Sequence, residues 1–149
     1  MPSVFRSPAW LALAAGLCTP ALAGAQPTNA TQLPSNEVTT VSGVKTACTG
    51  VGQAARADPR WKDFTVRIEA AAPSGNLLGG VTVDVANGQG TSILAVSCRS
   101  PWLLMDLPPG SYRVTAWSGG SGPRTVTVRA SAGRQSRNVI AFPKAAPAS

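Results

Sequence analysis

Apolar and polar residues alternate through most of the second half of the chain. From Phe64 to Ala70 every second residue is apolar, and polar or charged residues lie between them. This period of two is typical of a half-buried strand, because successive side chains of a strand point to opposite faces. Similar alternation, or a short apolar run, recurs in six further segments: 81–86, 91–98, 102–107, 112–117, 125–129 and 139–142.

Turn-forming residues separate these seven segments about every ten residues. They include Pro73–Asn76, Asn87–Gly90, Arg99–Pro101 and Pro108–Gly110, with a glycine-rich connection at Gly119–Pro123. This spacing predicts an all-β, seven-stranded antiparallel sandwich, with a small barrel as the alternative. The strand at 102–107 is apolar on both faces, which predicts a central position. No strand–helix–strand pattern is present, so we expect no parallel sheet.

The residues before Phe64 have a weaker pattern. A short strand is predicted within Glu37–Val44, followed by a short helix with Thr49 as its N-cap. Asp58-Pro59 should end this helix, because a residue before proline avoids the helical region. We therefore expect residues 38–63 to form an N-terminal flap with a short helix.

The first 25 residues have the three parts of a cleavable signal peptide. Arg6 provides the positive charge, Ala9–Cys18 is apolar, and Ala21–Ala25 is rich in small residues. We expect cleavage near Ala25, before Gln26, and a periplasmic or secreted mature protein. The apolar run is too short to span a membrane, so no span is expected in the mature chain. Lipidation at Cys18 is the alternative.

The remaining boundaries follow from composition. Residues 26–37 are rich in Pro, Asn, Thr and Gln and are predicted to be a flexible linker, while 64–142 form the sandwich and 143–149 a disordered tail. Cleavage removes Cys18 and leaves Cys48 and Cys98. A pair of cysteines in an exported chain predicts one disulfide, and two buried free thiols are the alternative.

Charge and composition narrow the possible functions. After loss of Arg6, twelve Lys and Arg residues face six Asp and Glu residues, a net charge of +6. The basic residues are scattered, so nucleic acid is not an expected partner. The sequence has no histidine, which excludes Ser-His-Asp and Cys-His catalysis within this chain. We expect no metal and no cofactor. Glu69 and Asp84, on the outward faces of neighbouring predicted strands, are the one carboxylate pair considered for a hydrolase, and two solvated strand positions are the alternative.

The segment Leu107–Ala116, with the sequence LPPGSYRVTA, resembles the "LPxGxYxVxA" motif of carboxypeptidase regulatory-like domains. The glycine turns and strands at 79–94 fit the same pattern, and the resemblance covers Phe64 to Phe142. It implies a prealbumin-like Greek-key sandwich similar to transthyretin, in the style of small exported bacterial proteins. It implies no particular function. Transthyretin-like hydroxyisourate hydrolases need histidines and a Tyr-Arg-Gly-Ser end, neither of which is present here.

One surface stands out as a candidate for binding. Pairing of the strands on either side of Pro108-Pro109 would place Met105 opposite Tyr112 and both on the core face. The other face would then present two tryptophans, a leucine and an ion pair, a patch suited to a protein or a sugar ring. The residues of this candidate surface are Trp102, Leu104, Asp106, Arg113 and Trp117. Alternatively, the segment Glu37–Trp61 covers this face and makes it part of the core.

These observations favour an exported, non-enzymatic binding or structural module of the cell envelope. Its expected partner is an unknown protein or glycan. The alternatives are a carboxylate-dependent hydrolase and a carbohydrate-binding accessory domain.

Overall fold

The computed structural model describes residues 25–143 and, before them, Gly16 alone. The rest of the predicted signal peptide and the tail from Lys144 onward lie outside the described residues. A short α-helix, α1 (Gln53–Ala57), and a 3-10 turn (Pro59–Asp63) accompany the strands. The strands are β1 (Thr31–Gln32), β2 (Val38–Val41), β3 (Val44–Thr49), β4 (Val66–Ala71), β5 (Val81–Ala86), β6 (Ser92–Cys98), β7 (Trp102–Met105), β8 (Gly110–Ser118), β9 (Ser121–Ala130) and β10 (Ser136–Ala141).

The strands form two five-stranded sheets. Sheet A has the order β1-β6-β5-β8-β9, and sheet B has the order β10-β4-β7-β3-β2. An all-β, sandwich-like fold is therefore confirmed. The described residues contain ten strands, whereas seven were predicted for the sandwich. Of the three additional strands, β2 lies within the short strand predicted at Glu37–Val44, and β1 and β3 were not predicted.

Both sheets are mixed, so the prediction of a purely antiparallel fold is wrong. Strand β10 runs parallel to β4, and the short β1 runs parallel to β6. The sequence predicted only antiparallel pairs because its short connections were read as hairpins. The connection from β9 to β10 instead crosses from sheet A to sheet B, and it places β10 alongside β4 in the same direction.

Apolar side chains from both sheets meet in one core. Val83 and Val85 of β5, Val96 of β6 and Ile68 of β4 are fully buried there. Strand β7 lies in the middle of sheet B and is buried on both faces, as its apolar run predicted. The Cys48–Cys98 disulfide is confirmed, with 5.4 Å between its Cα atoms, and it joins β3 of sheet B to β6 of sheet A.

Strands β7 and β8 do not pair, so the predicted hairpin between them is wrong. Strand β7 pairs with β3 and β4, whereas β8 pairs with β5 and β9. The connection between them passes from one sheet to the other. It is held at the start of β4, because Leu107 N donates to Thr65 Oγ1 and Thr65 Oγ1 donates to Leu107 O at 2.8 Å.

The N-terminal segment is more regular than its sequence suggested. Strands β2 and β3 form a hairpin through Ser42 and Gly43, both of which have positive φ. Within residues 26–37, which were expected to be a linker, β1 pairs with β6 and Leu33 is buried in the core. Thr49 ends β3 instead of capping the helix, and its hydroxyl donates to Asn36 Oδ1 at 2.7 Å. Helix α1 ends at Ala57, just before Asp58-Pro59, as predicted.

None of the helices in residues 25–143 has the length and apolar character needed to cross a lipid bilayer.

Candidate functional site

The structure divides the predicted binding surface between two sheets. Trp102 and Leu104 lie on the outer face of sheet B, while Arg113 and Trp117 lie on the outer face of sheet A. Asp106 follows β7 and is exposed beside a groove of about 240 Å³ next to β2 and β3. The expected ion pair between Asp106 and Arg113 is absent from the ion pairs of the described residues. The five residues therefore do not form one site.

The N-terminal segment covers Trp102 and Leu104. Leu104 is fully buried in a cluster with Ala47, Trp61 and Phe64. The Trp61 side chain is fixed there, because its Nε1 donates to Ala55 O at 2.8 Å. The alternative in which the segment before Phe64 folds over this face is correct for these two residues, which belong to the interior.

A charged cluster lies on the same outer face of sheet B. Glu69 is 2% exposed and accepts a hydrogen bond from Arg137 Nε at 2.7 Å. Arg67 Nε lies 3.5 Å from the other carboxylate oxygen of Glu69, and the Arg67 guanidinium lies 4.3 Å from the centre of the Trp102 ring. Burial lowers the pKa of Arg67, an effect that the charge of Glu69 opposes and that of Arg137 adds to.

This cluster does not supply the convergent carboxylates of a glycoside hydrolase. Glu69 is on β4 of sheet B, whereas Asp84 is on β5 of sheet A, where it accepts a hydrogen bond from Ser92 Oγ at 2.6 Å. Both residues alternate with core residues, so each carboxylate lies on the outer face of its own sheet. Their predicted position on neighbouring strands is wrong, because β4 and β5 belong to different sheets. Glu69 was also expected to be solvated, and it is buried between two arginines.

Trp117, like Asp106, is a predicted residue that lines a cavity. It is half-buried near the end of β8, at a cleft of about 320 Å³. Residues of β5, β6 and β8 form the floor and walls, and the arm before β1 contributes Gln26, while β1 itself contributes Gln32. This cavity is called the Trp117 cleft below.

Three side chains that line the Trp117 cleft lie in one row across neighbouring strands. In the strand register Ser97 of β6 is opposite Thr82 of β5, and Thr82 is opposite Trp117 of β8. Neighbouring strands are about 5 Å apart, so the row places two hydroxyl groups next to an indole ring. The Thr82 and Ser97 hydroxyl oxygens are 2.8 Å apart and hydrogen-bonded.

Amide side chains from the N-terminal segment extend this polar row. Gln26 Nε2 donates to Thr82 Oγ1 at 2.9 Å, and Gln32 Nε2 donates to Ser97 O at 3.2 Å. Arg99, just after β6, is exposed and also lines the cleft. The cleft therefore combines an aromatic wall with several groups that donate or accept hydrogen bonds.

The hairpin between β8 and β9 packs closely against the Trp117 ring. A Cβ atom on Gly122 would lie 3.2 Å from Trp117 Cδ1 and 2.8 Å from Ala116 O. Gly122 also has a φ of +116°, which favours glycine. Only a residue without a side chain lets β9 approach Trp117 so closely, so the hairpin backbone packs directly against one edge of the ring.

Sequence reasoning found Trp117 and missed the residues around it. Alternation within β5 and β6 does place Thr82 and Ser97 on an outer face, which was the available signal. Nothing local showed that β8 would lie beside β5, or that Gln26 would pack on Thr82. Among the described residues, no group of three or more His, Cys, Asp or Glu side chains is arranged to hold a metal ion.

Compared with known protein families and with curated proteins, the chain matches none.

Proposed function

We propose that this protein is an exported, non-enzymatic binding module that recognises a saccharide of the cell envelope through the Trp117 cleft. The cleft is the observation that carries the proposal. An indole ring offers an apolar face to the C–H side of a sugar ring, while hydroxyl, amide and guanidinium groups satisfy sugar hydroxyls. A few polar groups around an aromatic wall are the usual composition of a site for a small polar ligand.

The proposal includes membership of the carboxypeptidase regulatory-like domains with a prealbumin-like, seven-stranded Greek-key unit in β4–β10. The motif at Leu107–Ala116 supports it through its contacts. Leu107 is buried in the core, and the Tyr112 hydroxyl donates to Pro108 O at 2.6 Å across the connection between the sheets. The motif residues thus stabilise the crossing from β7 to β8.

Export is the third part of the proposal. The three-part pattern at the N-terminus supports it, and so does the disulfide, because disulfides persist mainly in oxidising compartments. A periplasmic location would place the Trp117 cleft among envelope glycans. Mass spectrometry of the protein recovered from the periplasm tests this part, with a mature N-terminus at Gln26 as the expected result.

Saccharide binding is tested by titrating the mature protein with a panel of oligosaccharides, both neutral and charged, by calorimetry. We expect Trp117→Ala to lose at least tenfold in affinity for the best ligand, since it removes the aromatic wall. Thr82→Val keeps the shape of the side chain and removes a hydroxyl, so it should weaken binding by a smaller factor.

A matched control is Val139→Ala, which removes a half-exposed apolar side chain from the outer face of sheet B. It should bind the ligand as the unchanged protein does. Thermal unfolding followed by circular dichroism shows whether each variant is folded. The proposal fails if no saccharide of the panel binds, or if folded Trp117→Ala binds as tightly as the unchanged protein.

A further inference from the structure

Three arginines lie on the outer face of sheet A or at its edge. Arg99 lines the Trp117 cleft, Arg113 is on β8, and Arg129 is on β9. Each is exposed to solvent. The ion pairs of the described residues all belong to sheet B or to the segment packed on it, and none includes these arginines. Their guanidinium groups are therefore available to a ligand.

The strand register aligns these charges with the tryptophan. Trp117, Thr115 and Arg113 alternate with the core residues of β8, so they share the outer face. Side chains two residues apart on a strand are separated by about 7 Å, so Arg113 lies about 13 Å from Trp117. Arg129 is opposite Ser111, one step further along the same face.

The surface between the tryptophan and the arginines is polar and hydrogen-bonded. Thr115 Oγ1 and Thr125 Oγ1 are 3.2 Å apart on neighbouring strands. The strip from Arg99 past Trp117 to Arg129 is thus long enough for several units of an extended polymer. It is called the basic strip below.

Acidic residues are scarce on this side of the molecule. Asp84 is the one carboxylate on the outer face of sheet A in residues 25–143, and it is half-buried and bonded to Ser92. The other five acidic residues belong to sheet B, its connections or the segment packed on it: Glu37, Asp58, Asp63, Glu69 and Asp106. Three guanidinium groups against one carboxylate leave the strip with a net charge of +2.

We infer that the ligand of this face is an acidic polysaccharide, whose carboxylate groups pair with the guanidinium groups of the basic strip while one sugar ring contacts Trp117. This inference rests on the proposed saccharide-binding function and names the class of saccharide. Guanidinium groups suit the role because their planar array of donors matches a carboxylate in two parallel hydrogen bonds. A neutral glycan would use Trp117 and leave the three charges without a role.

Oligogalacturonate and its methyl ester provide a matched pair of probes, because esterification removes the charge and keeps the sugar chain. We expect the mature protein to bind the acid about tenfold more tightly, since three exposed ion pairs contribute a fraction of a kcal/mol each. Added salt should reduce this preference, because exposed charges are screened. The double variant Arg113→Gln, Arg129→Gln should reduce the preference to about twofold.

Arg124→Gln is the matched control. Arg124 is also exposed on β9, but it is opposite the core residue Ala116, so it faces away from the outer surface of sheet A. This variant carries the same charge change as each substitution in the double variant, and it should keep the tenfold preference. Arg113→Gln alone changes the net charge by the same amount and should reduce the preference to about fivefold. If Arg124→Gln reduces the preference as much as Arg113→Gln does, net charge alone explains the preference and the inference fails.

The remaining outcomes separate the inference from the proposed function. Equal affinity for the acid and the ester, both lost in Trp117→Ala, overturns the acidic ligand and supports the saccharide site. Absence of binding to the acid also overturns the inference. Duplex DNA is added at a phosphate concentration equal to the carboxylate concentration of the acid. If it competes fully with the acid, the basic strip is a general polyanion surface and the inference fails. Absence of binding to every saccharide of the panel overturns the proposed function as well.

Discussion

Gly50 lies against the ring of Trp102, so close that a Cβ atom on Gly50 would be 2.7 Å from Trp102 Cγ. The contact shows how the segment after β3 covers the outer face of sheet B. Arg67 also contacts this ring through its guanidinium group. Trp102 is consequently 9% exposed and is a structural residue, whereas Trp117 on the other sheet borders a cleft.

Gly50→Ala should lower the free energy of unfolding by about 3 kcal/mol. The substitution combines the cost of a positive φ with the displacement of a packed ring. Gly52→Ala is the control, because Gly52 also has a positive φ and no atom lies within 4 Å of the position that a Cβ atom would occupy there. It should cost about 1 to 2 kcal/mol, because only the backbone conformation is strained. Urea unfolding measures both values, and equal costs would show that the Trp102 ring moves aside freely.

Loss of the Cys48–Cys98 disulfide should lower the free energy of unfolding by about 4 kcal/mol. The bond closes a loop with a sequence separation of 50, and it restricts the unfolded chain by that amount in the chain-entropy model. Urea unfolding with and without reductant measures the difference. The variant Cys48→Ala, Cys98→Ala should not respond to reductant. If reductant leaves the unmodified chain equally stable, the disulfide does not stabilise the sandwich.

Glu69→Gln should destabilise the protein by about 2 kcal/mol. The substitution leaves Arg67, which is partly buried, without its anionic partner, although solvent screens the more exposed Arg137. Asp58→Asn is the control, since its ion pair with Arg60 is exposed and asparagine can still cap the 3-10 turn. Chemical denaturation should detect no change for this control. If both substitutions change the free energy of unfolding equally, the burial of Glu69 does not strengthen the contribution of its ion pairs to stability.

Tyr112 should ionise at a higher pH in the folded protein than in the unfolded chain, because burial raises its pKa above the ordinary value of about 10. Tyr112 is the single tyrosine of the sequence, so the ultraviolet absorbance of phenolate reports it directly. Titration with and without denaturant gives the two pKa values.

The raised pKa also sets the sign of the pH dependence. Stability from neutral Tyr112 is intact below the unfolded pKa of about 10 and is lost as the pH rises through the folded value. Tyr112→Phe should therefore lose less stability at alkaline pH than the unchanged protein does. A phenolate pKa that denaturant does not alter would contradict the burial argument.

Local pattern predicted the seven later strands to within a few residues. Alternation located β4, β5 and β6, and the doubly apolar run identified β7 as central, because side-chain period depends on neighbours in sequence. The disulfide was predicted from the two cysteines that lie beyond the expected cleavage site. These features need no knowledge of which strands pair.

The pairing of strands was predicted poorly. The candidate binding surface was wrong for the same reason, because its residues were expected to lie on one sheet. The alternation within β7 and β8 fixes which residues face the core, but pairing of Met105 with Tyr112 also requires the two strands to share a sheet. Consecutive strands often pair, but β7 and β8 do not. The division of each strand into core-facing and outward-facing residues was correct. The outward-facing residues of β7 and β8, however, belong to different sheets. Similarly, arginines that are scattered in sequence, such as Arg113 and Arg129, meet on one face only after β8 and β9 pair.

The position of β1 and β3 determines an order of events during synthesis. Thr31 pairs beside Val96 and Thr46 beside Met105, so the partners of the N-terminal strands emerge about 60 residues later. Before then, β2 and β3 have only each other, and a two-stranded hairpin is marginal in water. The first third of the domain must stay open until the second half has been made. Such late, long-range closure favours slow folding, which is compatible with the proposed export of an unfolded chain.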